Sequence, residues 1–192
     1  MKMLLFLLTM ITWSALYAQD KHPAKEQRPP LPNFDPVNNE RFGKDYVPFS
    51  ITTLDGKQID NNSIRGKVAF FTFWFKRCAA CLAEFGELNE LYSHFRNDTN
   101  VVFVAITFDK KEEITDVLEK YEVAFPVATI TSQKEASRMN YGRGFPSIVL
   151  LDKQGKIRWS GTSSVTTNDN EDSLNTLTVN SAVKLINRYK SE

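Results

Sequence analysis

A nearly continuous apolar run at residues 68–75 constrains the fold of this chain more than any other sequence feature. The run is Val-Ala-Phe-Phe-Thr-Phe-Trp-Phe, and it follows Gly66-Lys67. Apolarity over such a length, rich in aromatic side chains, is typical of a β-strand covered on both faces. A second run of this kind covers residues 101–108. The sequence therefore predicts a central sheet buried between other layers.

Helical patterns alternate with these strands. Apolar residues recur at helical spacing in four segments, at residues 82–95, 111–123, 136–141 and 179–189. Shorter strands are predicted near residues 125–127, 146–151 and 156–160, and a β-hairpin at 49–59 turns at Asp55-Gly56. Strands alternating with helices favour parallel pairing and right-handed crossovers. We expect one α/β domain with a mixed sheet between helices, an N-terminal β-hairpin extension, and a polar loop at 161–172.

The first 46 residues differ from the rest of the chain. Lys2 precedes an almost entirely apolar stretch, and small residues end at Ala18. This pattern predicts a signal peptide over residues 1–18 and export to the periplasm, with an uncleaved membrane anchor as the alternative. Five of the eight prolines lie within residues 19–46, which predicts a linker or arm. The folded domain is then expected to span residues 47–192.

The charge balance leaves the cysteines as the main chemical signal. Lys and Arg number 24 against 23 Asp and Glu, so nothing favours nucleic acid as a partner. Cys78 and Cys81, the only two cysteines, lie where the buried strand ends and a helix begins. The helix dipole and its unpaired N–H groups favour a thiolate there. Lys76 and Arg77 add positive charge that is expected to lower the thiol pKa further.

The Cys-x-x-Cys spacing predicts a redox-active dithiol, in which an exposed Cys78 attacks a disulfide and an inward-facing Cys81 resolves the mixed disulfide. A structural disulfide is an alternative, although closing so short a loop stabilises a fold little. A metal site is a weaker one, because zinc needs about four ligands and the two histidines, His22 and His94, lie far from the pair. We expect no cofactor and no metal. Trp74 fits equally well as a core residue or as part of the substrate site that shields the dithiol.

These residues resemble the exported TlpA/ResA-like branch of the thioredoxin-like thiol-disulfide oxidoreductases, over Pro48 to about Gly161. The matching positions are Phe73-Trp74 before the cysteines, Glu84 three residues after Cys81, the segment Tyr141 to Pro146, and the turn Asp152 to Ile157. The differing positions are Ala79-Ala80 and Gly86, which lack the usual prolines, Arg77, which replaces an aromatic residue, and Thr72, which replaces the buried acid of cytoplasmic thioredoxins.

The resemblance implies a thioredoxin-like fold and reduction of protein disulfides by Cys78, with Cys81 resolving. It also implies a cis Phe145–Pro146 bond beside the dithiol, where the Phe145 backbone pairs with a substrate peptide. Glu84 is expected either to tune the thiol pKa or to be a plain surface carboxylate. Apocytochrome c is one substrate that the resemblance suggests, and a membrane thiol relay is the expected reductant. The chain lacks the Cys-x-x-Cys-His motif, so no haem is expected.

Two other functions stay open at this point. A peroxide reductase needs a threonine and a proline in the loop before its cysteine, and residues 71–77 contain Thr72 but no proline. A non-catalytic interaction module would use the Cys78–Cys81 bond only structurally. The reduction potential separates these cases, since structural disulfides lie below about −300 mV.

Overall fold

The computed structural model describes residues 41–161, 164–166 and 176–192. The predicted signal peptide and most of the predicted arm therefore lie outside the described residues. Within the described ranges, no helix has the length and apolar character needed to cross a bilayer. Residues 41–46 are part of the folded domain, because Tyr46 is buried and its hydroxyl donates to the Met139 carbonyl at 2.8 Å.

The described residues form nine strands and five helices. The strands are β1 Ser50–Thr53, β2 Gln58–Asp60, β3 Val68–Trp74, β4 Val101–Thr107, β5 Val127–Thr129, β6 Ser147–Leu151, β7 Ile157–Gly161, β8 Ser164–Thr166 and β9 Thr176–Thr178. The helices are α1 Ala79–Ala83, α2 Phe85–Ser93, α3 Lys111–Lys120, α4 Gln133–Met139 and α5 Val179–Ser191.

Seven strands form one mixed sheet in the order β2-β1-β5-β4-β3-β6-β7. β3, β4 and β5 are parallel to one another, whereas the hairpin β1–β2 and the strands β6 and β7 pair antiparallel. This arrangement confirms the predicted α/β class, the mixed sheet and the N-terminal hairpin. It places the carboxyl ends of β3 and β4 at one edge of the sheet.

β3 is the buried centre that its composition predicts. All seven of its residues are buried, and their side chains alternate between the two faces of the sheet. On one face Ala69, Phe71 and Phe73 join the main apolar cluster. On the other, the Phe70 ring stacks on Phe103 at 4.9 Å. Each such large side chain stabilises the fold by about 1.5–3 kcal/mol when fully buried.

Two features differ from the expectations. The helix predicted over 82–95 is two helices that meet at Glu84, whose φ of −91° and ψ of 2° interrupt regular helix geometry. The stretch predicted as a loop includes β8, which pairs in parallel with β9. Val165 and Leu177 anchor this pair, being 3% and 1% exposed. One buried apolar residue in each strand is too weak a pattern to predict a strand among the surrounding Ser, Thr, Asn and Asp residues.

Candidate active site

The two cysteines lie at the start of α1 and form a disulfide. The S–S distance is 2.04 Å and the Cα atoms are 5.2 Å apart. Cys78 is the N-cap of α1, and its Sγ accepts a hydrogen bond from the Cys81 N–H at 3.2 Å. Cys78 is 7% exposed and Cys81 is 0% exposed. The predicted exposure of Cys78 is thus reduced to a small accessible surface, which Cys81 lacks altogether.

The loop before Cys78 is held by a residue that the sequence analysis missed. The Cys78 N–H donates to the Phe75 carbonyl at 3.0 Å. The Lys76 N–H donates to Asp109 Oδ2 at 2.6 Å, and the Thr107 hydroxyl donates to the same oxygen at 2.9 Å. Asp109 follows the end of β4, the parallel neighbour of β3. Since the carboxyl ends of parallel strands share one edge, the position of Asp109 just after a second buried strand is the signal that could have identified it.

The two cations next to Cys78 lie near a carboxylate. Lys76 Nζ donates to the Glu113 carbonyl at 3.4 Å, and Arg77 is exposed. The pKa of Glu113 is lowered first by the hydrogen bond from the Lys110 N–H, and further by the positive charges of Lys76, Lys110 and Arg77. Glu113 therefore offsets part of the positive charge that was expected to act on the Cys78 thiol.

Glu84 is buried, so the surface-carboxylate alternative is wrong. Its side chain is 3% exposed, and Oε2 accepts a hydrogen bond from the Val165 N–H at 2.9 Å. Burial raises the pKa of Glu84 to about 8, against the opposing effect of that hydrogen bond and with a small contribution from Glu87. Oε1 is buried with no hydrogen-bond partner among the described residues. At neutral pH this carboxyl carries a proton, three residues after Cys81.

Trp74 and Thr72 lie inside the core beneath the site. Trp74 is 0% exposed, and its ring packs edge-on against Phe85 at 5.0 Å. This burial favours the core role and leaves Trp74 no surface with which to contact a substrate. The Thr72 hydroxyl is buried and has no partner among the described residues. Across those same residues, no cluster of three or more His, Cys, Asp or Glu side chains is suited to hold a metal ion.

The Phe145–Pro146 peptide bond is cis, as the resemblance implied. The Phe145 ring lies 5.3 Å from that of Phe75, whose carbonyl bonds the Cys78 amide. Asn140, which was not predicted, holds this segment by donating from Nδ2 to the Gly144 carbonyl and to the Ser147 hydroxyl, both at 2.9 Å. The Phe145–Pro146 segment therefore lies beside the cysteine loop.

Comparison with known proteins gives a consistent picture. The profile of the AhpC/TSA family matches residues 42–160. The thiol-disulfide oxidoreductases ResA of Bacillus cereus and Bacillus anthracis are 31% and 33% identical, over 61% of this chain and 67% of each relative. The thioredoxin domain of a thiol-disulfide oxidoreductase from Bacteroides vulgatus superposes with a TM-score of 0.52 at 22% identity, covering 62% of this chain and 89% of that one. The last similarity shows the thioredoxin-like fold.

Proposed function

The chain belongs to the AhpC/TSA family and is a thioredoxin-like thiol-disulfide oxidoreductase, and from this premise we propose that it reduces disulfide bonds of proteins outside the cytoplasm. The observation that carries the proposal is the asymmetry of the dithiol. Cys78 starts α1 and retains accessible surface, while Cys81 has none. Only one of the two sulfurs is therefore available to an incoming protein, which is what a sequential exchange requires.

The reaction has two exchange steps. In the reduced protein the Cys78 thiolate attacks one sulfur of a substrate disulfide, which forms a mixed disulfide and releases the other substrate sulfur as a thiolate. The Cys81 thiolate then attacks Cys78 Sγ, which closes the Cys78–Cys81 bond and releases the second substrate thiolate. The substrate gains two electrons and two protons, and the dithiol is oxidised to the disulfide seen in the structure.

Glu84 is our candidate for the group that accepts the proton of the resolving thiol. Cys81 and Glu84 are both buried and three residues apart at the end of α1, a spacing that puts them on the same side of a helical turn. A carboxyl with a pKa of about 8 is mostly protonated at pH 7, but it populates the carboxylate form that can accept a proton at this pH. Thr72, at the position of the acid in cytoplasmic thioredoxins, has no proton to exchange in this range. We therefore assign acceptance of the Cys81 proton to the ionised form of Glu84, which is a minority of the molecules at pH 7 and grows as the pH rises toward 8.

The remaining roles follow from the position of the site. The backbone of Phe145, ahead of Pro146, pairs with an extended stretch of the substrate, and Lys76 and Arg77 modestly lower the Cys78 pKa. Outside the cytoplasm the oxidised dithiol needs an external thiol to reduce it, for which a membrane thiol relay is suited. Apocytochrome c, which carries a Cys-x-x-Cys pair, is one substrate of the right chemistry.

Trapping experiments test the assignment of the two sulfurs. Cys81→Ser should accumulate mixed disulfides with substrate proteins in non-reducing gels, whereas the matched variant Cys78→Ser should not. Equal trapping by both variants would show that the roles are wrongly assigned. The wild-type reduction potential should lie above the range of structural disulfides, about −300 mV. Consumption of hydrogen peroxide at a rate exceeding that of disulfide reduction would favour the peroxide-reductase alternative instead.

A further inference from the structure

Three half-buried phenylalanines form one surface, which we call the aromatic platform: Phe75, Phe108 and Phe145. The Phe75 ring stacks on Phe108 at 5.6 Å and 24°. The Phe145 ring packs edge-on at 5.3 Å from Phe75 and 5.6 Å from Phe108. Each ring thus packs against the other two, and each of the three residues is partly exposed. Aromatic rings bury large areas when they pack, so leaving three of them partly exposed to water is unfavourable in free energy.

The topology places the aromatic platform at the dithiol. β3 and β4 are parallel, with Trp74 opposite Thr107, so Phe75 and Phe108 each follow the end of their strand. β6 is antiparallel to β3, with Phe73 opposite Ser147. Phe145 therefore precedes β6 at that same edge. Because the Phe75 carbonyl accepts the Cys78 N–H, the platform continues directly into the loop that carries the attacking sulfur.

We infer that the aromatic platform binds a large apolar side chain, aromatic or branched aliphatic, that neighbours one cysteine of the substrate disulfide. The inference rests on the proposed reductase function and adds the substrate class of that site. A substrate whose sulfur reaches Cys78 brings its neighbouring residues across the adjacent edge of the sheet. An apolar side chain there covers exposed ring area, and another ring can pack in the same edge-on or stacked geometry that the three already use. A polar side chain at that position would neither bury apolar surface nor pack against the rings.

A pair of peptides tests this inference on the wild-type protein. Both peptides carry the same intramolecular disulfide, and they differ only in the residue before one cysteine, which is Phe in one and Ser in the other. The pre-reduced protein is mixed with each peptide, and the second-order rate constant is measured by acid quench and chromatography. We expect the Phe peptide to react about tenfold faster, the size of discrimination that one apolar side chain provides. Equal rate constants would overturn the inference.

Three variants locate the effect. Phe75→Ser and Phe108→Ser should bring the ratio of the two rate constants close to one. In Phe108→Ser, the rate with glutathione disulfide, which has no large apolar neighbour, should stay near the wild-type value, which shows that this variant is folded and active. The matched control is Phe42→Ser, because Phe42 is 44% exposed elsewhere on the chain, and it should keep the wild-type ratio. A preference that survives in both platform variants would refute the assignment. If the wild-type protein reduces neither peptide nor glutathione disulfide, it is the proposed reductase function that fails.

Discussion

Glu84→Gln should remove a pH dependence of stability that the wild-type chain carries. The folded-state pKa of Glu84 is about 8, raised by burial from an ordinary value of 4.5. Between these two values the unfolded chain releases the proton while the folded chain keeps it. Stability therefore falls as pH rises from about 4.5 to 8, and the whole effect is on the order of 5 kcal/mol. The part lost between pH 5 and pH 7 is about 2–3 kcal/mol.

Glutamine retains an oxygen that can accept the Val165 N–H but does not titrate, so it isolates this one contribution. The assay is guanidinium unfolding of the oxidised protein at pH 5, 6, 7 and 8, for wild type and Glu84→Gln. The amide group adds a constant offset, and other titrating groups are common to both proteins, so both cancel in the difference of slopes. We expect the free energy of unfolding of Glu84→Gln, relative to that of the wild type, to increase steadily with pH. Parallel pH profiles would refute the assignment of a protonated, buried Glu84.

Three further predictions concern the surroundings of the dithiol. Lys76→Glu/Arg77→Glu should raise the Cys78 thiol pKa, measured by ultraviolet titration. The rise should be less than about one unit, because Glu113 already offsets these charges and solvent screens Arg77. A larger rise would mean that both side chains act on the sulfur directly. Asp109→Ala should destabilise the fold by about 1.5–3 kcal/mol, since a charged acceptor of the Lys76 N–H is lost. Asp109→Asn should destabilise it less and should lower the Cys78 pKa. Equal free energies of unfolding for the two variants would contradict the role of Asp109 in holding the cysteine loop. Phe85→Ala should destabilise the fold by about 3–5 kcal/mol, because Phe85 is fully buried against Trp74, Tyr121 and Phe125. The exposed control Phe42→Ala should change the free energy of unfolding, measured with a chemical denaturant, by less than about 1 kcal/mol.

The parts of the fold that could be predicted are those that carry their own local signal. The run at 68–75 predicts β3 because both faces of that strand are covered, and the position of Cys78 at its end follows from the helical pattern that begins afterwards. The backbone N–H groups that bind distant side chains left no such local signal. The Val165 N–H that binds Glu84 is a backbone group 81 residues away, so no side-chain pattern marks it. The break between α1 and α2 occurs without proline, and the cysteine loop is held by Asp109 through another backbone amide.

At the start of α1, one sulfur serves two purposes: it caps the helix and it reacts. Cys78 Sγ accepts the Cys81 N–H where a serine or aspartate oxygen would ordinarily do so. A charged acceptor forms a shorter and stronger hydrogen bond than a neutral one, so this bond tightens when the sulfur becomes a thiolate and relaxes when it is bonded to another sulfur. The Cys81 amide proton is therefore a built-in spectroscopic reporter. Its NMR chemical shift and its hydrogen-exchange rate should change with the charge on Cys78, so no reporter group has to be attached to the protein.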